Sequence, residues 1–354
     1  MKLIFAPMAT LSHAGMRNII STFGGCDEYY TEMIHAASFM HGGKFEPYYG
    51  ISAPEPEKLV WQLTGSNGSD LSKCAALLME NTKPLWNVPE NMHCGDKRAI
   101  GIDINMGCAA PEIYKQGAGA AWMTKPFNET ANMLSQVRSA FSGRLSCKIR
   151  LGEDTKDEVG FSETHFFEYL DVLLESGVTQ IVVHPRTRRQ KSSRPPRYSY
   201  IEKAATYVHK KALENKKKVT LIGNGNVTSL ADYEKFCQLC PNADGLMIGR
   251  GAIQKPWIFS QIANASVQDK KGTKKIDLYD LAVSCMNNLQ KFQPQEFYKT
   301  RAQRFFTYFC DNFSFAHHIK KQILNANTIE EMLFFLAQYF VKMPEERFVI
   351  FTHN

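Results

Sequence analysis

Ile102-Asp103-Ile104-Asn105-Met106-Gly107-Cys108 is an apolar, strand-favouring run that ends in Asn, Gly and a thiol, and the small-residue run Gly117-Ala118-Gly119-Ala120-Ala121 follows it. Parallel α/β architectures turn the C-terminal ends of their strands toward the active site, so a cysteine just past such a strand can meet a bound substrate. The alternative is a buried, inert thiol, because free cysteine is among the most buried residue types.

The same pattern recurs along the chain. Eight short β-favouring runs, at 3–6, 28–31, 59–63, 100–105, 145–149, 180–183, 219–222 and 245–248, each end near Gly, Pro, Asn or a polar residue, with helical patterns between them. Alternating strands and helices imply right-handed parallel units, and eight of them in about 250 residues match an α/β fold of the (β/α)8 TIM-barrel type. A doubly wound open sheet is the competing fold. The strand ends favour the barrel: Asn105 and Cys108 follow the fourth run, Lys148 and Arg150 the fifth, and His184 and Arg186 the sixth. The seventh ends in Gly223-Asn224-Gly225-Asn226 and the eighth in Gly249-Arg250-Gly251, glycine-rich loops where backbone N–H groups can approach a phosphate.

At 354 residues, 44% apolar and 22% charged, the chain has the composition of a soluble enzyme and the length of one large domain plus a smaller one. No stretch has the length of a membrane span and residues 1–10 lack a signal-peptide core, so a cytoplasmic protein without membrane association is expected. Nine scattered cysteines predict reduced thiols. The lone Cys237/Cys240 pair lacks two further ligands at similar spacing, and no metal is assigned.

Net charge is +7, and its distribution is more informative than its size: six of the twelve residues from Arg186 to Arg197 are basic and none is acidic. Arg pairs bidentately with phosphate, so this segment suits an RNA or DNA backbone, the alternative being a solvated loop. Beyond Phe259 the pattern changes. The reading divides the chain into a catalytic barrel (1–262), a polar linker (263–276) and a helical domain (277–354) with one-sided amphipathic helices and a candidate basic face of Arg301, Arg304, His317, His318, Lys320 and Lys321.

Eight motifs stand in register: Ala6-Pro7-Met8, Tyr30-Thr31-Glu32-Met33, Gln62-Leu63-Thr64-Gly65-Ser66, Asp103 to Cys108, Lys148-Ile149-Arg150, His184-Pro185-Arg186-Thr187-Arg188, Ile222-Gly223-Asn224-Gly225 and Met247-Ile248-Gly249-Arg250-Gly251. With them the chain resembles the tRNA-dihydrouridine synthases, in order from Leu3 to Phe259 and more faintly into the tail, where that family carries a four-helix RNA-binding domain. The resemblance implies an FMN enzyme that uses NADPH to reduce the carbon 5–carbon 6 double bond of specific uridines in tRNA. Hydride from flavin would add to carbon 6 and a positioned acid would protonate carbon 5, a task a thiol can perform.

By that resemblance Cys108 is the proton donor and Asn105 holds the uracil edge. The flavin ring lies against Pro7 and Met8, with Gln62 and Lys148 on its polar edge and His184 beside it, while Asn224, Gly225, Gly249 and Arg250 clasp the phosphate. Arg186, Arg188 and Arg189 and the tail hold tRNA, and no stable protein partner is expected. A cation at Lys148 also has its own rationale, since it stabilises anionic reduced flavin; an internal ion pair is the alternative for Lys148 and Arg150. No GxGxxG follows a strand, so NADPH visits transiently. The chain departs from the family where Ala109 and Ala110, rather than Pro, follow Cys108, where Pro185 replaces Gly after the histidine and lacks an N–H, and in the long basic run. A flavin barrel acting on a free pyrimidine or enone would not need the helical tail. An RNA-binding protein with a merely structural flavin would not need Cys108, Lys148 and His184.

Overall fold

The computed structural model describes residues 1–80, 95–154, 160–190, 193–265 and 273–352. The eight expected strands are all present: β1 (Lys2–Phe5), β2 (Glu28–Tyr30), β3 (Leu59–Thr64), β4 (Gly101–Met106), β5 (Arg144–Ile149), β6 (Gln180–Val183), β7 (Thr220–Asn224) and β8 (Gly245–Ile248). Each pairs in parallel with the next, and β8 returns to β1 with Lys2 opposite Gly245 and Phe5 opposite Ile248. That last pairing closes the sheet into a barrel and rules out the doubly wound alternative. A two-residue strand, Ile34–His35, extends the open end of β3.

Strand periodicity of two divides the apolar residues into two clusters. Phe5, Trp61, Ile102, Ile104, Leu145, Ile181, Leu221 and Leu246 point outward and pack with the surrounding helices. Ile4, Ala6, Tyr30, Val60, Val182, Ile222 and Met247 point inward and form a small core of their own. Further inward positions are polar and buried, among them Glu28, Gln62, Asp103, Asn105, Ser146 and Gln180. At the barrel floor Glu28 accepts Arg144 bidentately, at 2.7 Å to each oxygen, and Lys2 at 2.6 Å.

The helical tail docks on the first barrel helix, α1 (Ala14–Phe23). It comprises α2 (Leu278–Phe292), α3 (Tyr298–Phe309), α4 (Ala316–Asn325) and α5 (Ile329–Lys342). Gly15 permits the close approach of α1 to α2, since a Cβ there would lie 2.5 Å from the Asn288 carbonyl oxygen. Phe305, Phe306, Phe309, Phe313 and Phe340 form the tail's core, continuous with the outer barrel cluster. Part of the expected linker, 266–272, lies outside the described residues. Thr273–Asp277 forms a strand, β9, antiparallel to β10 (Phe348–Thr352). Among the described residues no helix is long and apolar enough to cross a membrane.

Burial alone would raise the Glu28 carboxyl, but Arg144 and Lys2 outweigh it and hold it below its ordinary value. A carboxyl that ionises more readily folded than unfolded adds stability above its unfolded value, and that stability is lost as pH falls through the folded one. Arg144→Met, which strips the buried carboxylate of its main partner, is expected to cost about 3–5 kcal/mol in urea unfolding at neutral pH. Glu28→Gln is expected to flatten the loss of wild-type stability between about pH 5 and pH 3, measured by the same unfolding curves.

Candidate active site

The C-terminal strand ends surround a cavity of about 320 Å³ lined by Pro7, Met8, Lys148, His184, Asn224, Gly225, Gly249 and Arg250, and also by Arg150 and Arg186. A second cavity of about 360 Å³ adjoins it at Asn224, Gly225, Asn226, Gly249 and Arg250, and reaches Tyr308 and Asp311 of the tail. The glycines keep these walls thin. A Cβ on Gly249 would stand 3.0 Å from Met8 Sδ, and Gly225 has φ +150, a backbone conformation L side chains rarely adopt.

Beneath the cavity a hydrogen-bonded chain climbs the barrel interior to the backbone of Cys108. Gln180 Nε2 donates to Tyr30 Oη at 2.8 Å, and Tyr30 Oη lies 3.4 Å from Ser146 Oγ. Ser146 donates to Asp103 Oδ1 at 2.7 Å, and Gln62 Nε2 donates to Asp103 Oδ2 at 2.7 Å. The Gln62 carbonyl accepts Asn105 Nδ2 at 2.8 Å, and Asn105 Oδ1 accepts the backbone N–H groups of Gly107 at 3.2 Å and Cys108 at 2.9 Å. On its other side the Cys108 carbonyl accepts Ala120 N–H at 2.9 Å. Gly119, at φ +59, makes room for that closure, since a Cβ would lie 2.6 Å from the Cys108 carbonyl oxygen. The Cys108 backbone is thus held on both sides although Ala109 and Ala110 follow it, and Pro111 opens the helix Pro111–Lys115. Burial pushes the Asp103 carboxyl up to about 6, against the hydrogen bonds from Gln62 and Ser146.

The cavity is lined by cations without an Asp or Glu among the described residues. Arg150 donates to the carbonyls of Gly107 at 2.7 Å and Thr187 at 3.0 Å, so it is not the ion pair that remained possible for it. Lys148 Nζ has no hydrogen-bond or ion-pair partner among the described residues, and burial, then Arg150, push its ammonium down to about 8. Burial and the neighbouring Lys148, Arg150 and Arg186 hold the His184 ring well below its ordinary value, hence neutral. Its tautomer follows from its partners: Arg186 Nη1, which can only donate, lies 3.2 Å from Nε2, while Nδ1 lies 3.2 Å from Asn224 Oδ1. The proton is therefore on Nδ1, and Asn224 is oriented to accept it because its Nδ2 donates to the Met247 carbonyl at 2.8 Å. An ammonium without a partner among the described residues, neighbouring guanidinium groups and thin glycine walls fit a planar anionic cofactor with a phosphate, as FMN is.

Several expected residues lie elsewhere. Gln62 is fully buried and Asn105 6% exposed, both below the cavity with their amides engaged in the chain to Cys108. Arg186, expected to contact RNA, is 1% exposed and donates to the Arg194 carbonyl at 2.9 Å, because the backbone after Pro185 folds back over it. Arg188 pairs with Glu153 and stacks on Tyr114, and only Arg189 of the three presents its side chain to solvent. Lys191 lies outside the described residues. Arg301, expected on a basic face, is buried against Glu32 at 2.7 Å. Asp103 received no role from sequence, yet it shares the inward parity of Asn105, which marks it as a buried carboxylate needing partners.

Residues 4–342 match the dihydrouridine synthase (Dus) family. The probable tRNA-dihydrouridine synthase of Aquifex aeolicus is 28% identical over 262 residues, covering 73% of this chain and 72% of that protein. The one from Helicobacter pylori is 28% identical over 291 residues, covering 82% and 77%. The tRNA-dihydrouridine(47) synthase (NAD(P)(+)) of Vanderwaltozyma polyspora is 24% identical over 341 residues, covering 89% of this chain, and the chain spans 46% of that protein's length. A family match over nearly the whole chain settles its membership: the chain belongs to the dihydrouridine synthases.

Proposed function

We propose that the chain is a tRNA-dihydrouridine synthase that reduces the carbon 5–carbon 6 double bond of uridines in tRNA, with FMN in the barrel mouth, NADPH as transient reductant and Cys108 as proton donor. The observation that carries this reading is Cys108, whose backbone N–H and carbonyl are held by Asn105 and Ala120 next to Gly107 in the wall of a cation-lined cavity. Pro7, Met8, Lys148 and His184 would hold the flavin ring, and Asn224, Gly225, Gly249 and Arg250 its phosphate. When bound, FMN supplies the two electrons, taken from NADPH, that saturate the uracil.

The chain's own groups do the rest. Lys148 stabilises negative charge at the ring edge. His184 cannot serve as the acid, because its Nδ1 proton is committed to Asn224 and its Nε2 to Arg186. That supports the thiol, which protonates carbon 5 and is re-protonated from solvent between turnovers. Asn105 is already engaged by Gln62 and the Cys108 loop, so it offers the uracil a single N–H and acts chiefly by placing the thiol.

A target uridine inside folded tRNA must be splayed from its stack to reach this mouth. Exposed Arg189 and Arg194 beside the cavity and Arg304, His317, His318 and Lys321 on the tail support an RNA grip on that side. Residues 1–262 are read as the FMN barrel and 277–354 as the tRNA-binding domain, working in the cytoplasm.

Cys108→Ala is expected to bind FMN and accept electrons from NADPH like the wild type, while reoxidation of the reduced flavin by dihydrouridine-free tRNA, followed anaerobically by absorbance, falls by about 10²-fold or more. Reoxidation at the wild-type rate would remove Cys108 as the acid, and reoxidation by free uridine as fast as by tRNA would favour a small-molecule substrate. Asp103→Leu deprives buried Gln62 of its acceptor and is expected to cost about 1–3 kcal/mol and to speed alkylation of Cys108 severalfold, measured by peptide mapping. Asp103→Asn, which retains an acceptor for Gln62, should restore the wild-type alkylation rate.

A further inference from the structure

We propose that Arg301 and Glu32 are positioning residues through which the helical tail holds one wall of the cofactor cavity: Arg301 fixes Glu32, Glu32 fixes Thr10, and Thr10 sets the loop that carries Pro7 and Met8. The inference rests on the FMN reading of that cavity.

Glu32 follows β2 closely and is 3% exposed, as is Arg301. Its two oxygens serve two distant parts of the chain. Oε1 accepts the Thr10 backbone N–H at 2.6 Å, and Oε2 accepts Arg301 Nη1, from α3 of the tail, at 2.7 Å. Thr10 needs such a hold. It stands at φ +69, a left-handed conformation that is costly for a β-branched residue, and its hydroxyl is buried without a partner among the described residues. Strain of this kind persists only where the surroundings over-determine it, and the bond to Glu32 is the contact made by the strained residue's own N–H.

The conformation of Thr10 is passed on within one turn. The N–H groups of Leu11 and Ser12 both donate to the Met8 carbonyl, at 3.0 and 2.9 Å, while Met8 N–H donates to Ser12 Oγ at 2.9 Å. Met8 thus cannot move independently of Thr10, and it lies directly over the Gly249 wall of the cavity. On the tail side the Arg301 guanidinium is seated over Phe297, 4.8 Å from the ring centroid, with Tyr49 at 5.8 Å.

No neighbour replaces Arg301 at Glu32. Arg17 also lies in its field, but its guanidinium donates to the carbonyls of Ser12, Ile51 and Ala53. His13 is held well below its ordinary value by burial and then by Arg301 and Arg17, so it offers no charge. Without Arg301 the buried carboxylate would lose its charged partner and reorient, and that change releases Thr10. Seating of the tail and closure of the flavin wall are therefore one equilibrium.

The test is a double-mutant cycle read as FMN affinity, by quenching of flavin fluorescence on the full chain without tRNA. Arg301→Met is expected to weaken FMN binding about tenfold. In a Thr10→Gly background, where glycine occupies φ +69 without strain, the same substitution is expected to change affinity by less than about threefold. Should Arg301→Met fail to fold by circular dichroism, Arg301→Gln, which keeps a donor without the charge, enters the same cycle. Unchanged FMN affinity in the Arg301 variant, or an equal loss in the glycine background, overturns the coupling while leaving the FMN reading intact. A wild-type chain that takes up no FMN overturns that reading and the coupling with it.

Discussion

A buried polar group must find a partner, and in this barrel that requirement reaches from the floor to the loop of Cys108. Eight parallel strands closing on themselves direct alternate side chains into one narrow interior, and here those side chains include a glutamate, an aspartate, two glutamines and an asparagine. Each satisfies its neighbour in a single order, because a hydroxyl, an amide and a carboxylate donate and accept at fixed atoms. Asp103 decides that order. With both its oxygens accepting, Gln62 must present its carbonyl to Asn105, and Asn105 must present its own carbonyl to the loop of Cys108. The loop of Cys108 is thus held in place through a carboxylate two residues removed from it in the network.

Above this chain the chemistry reverses sign. Arg150, Arg186, Arg250 and Lys148 line a mouth whose described lining has no Asp or Glu, and their mutual repulsion is tolerable because three of them donate to carbonyl oxygens. Lys148 is the exception, and its ammonium is pushed down to about 8 by burial and Arg150. An anionic ligand at this position would reverse that shift, so ligand binding and protonation of Lys148 support one another. The same field keeps His184 neutral and fixed in one tautomer, which makes it a rigid element of the wall. The proposed function divides the labour accordingly: the cations would bind and stabilise charge, and Cys108 would handle the proton.

The fold was legible because each strand carries its own period of two and its own polar terminus, signals contained within six or seven residues. Lys148, His184, Asn224 and the two glycine loops were legible for the same reason, since a strand end determines where its next residues go. The loop after Pro185 was not. Arg186 and Arg188 read as exposed cations from composition, but a carbonyl of Arg194 and the carboxylate of Glu153 capture them, and neither partner is implied by local pattern. The Arg301–Glu32 pair joins residues 269 apart in sequence, so nothing near either residue marks it as buried. β9 escaped notice because its lysine-rich run resembles a linker, and its partner β10 lies beyond the whole helical tail.

The most direct test of the account is nucleoside mass spectrometry of tRNA lacking dihydrouridine after incubation with the purified protein, FMN and NADPH. The account predicts that mapped uridines gain two hydrogens with the wild-type protein and not with Cys108→Ala. Oxidation of NADPH by the flavin-loaded protein with no uridine altered would contradict it, and would place the reaction on an acceptor other than tRNA.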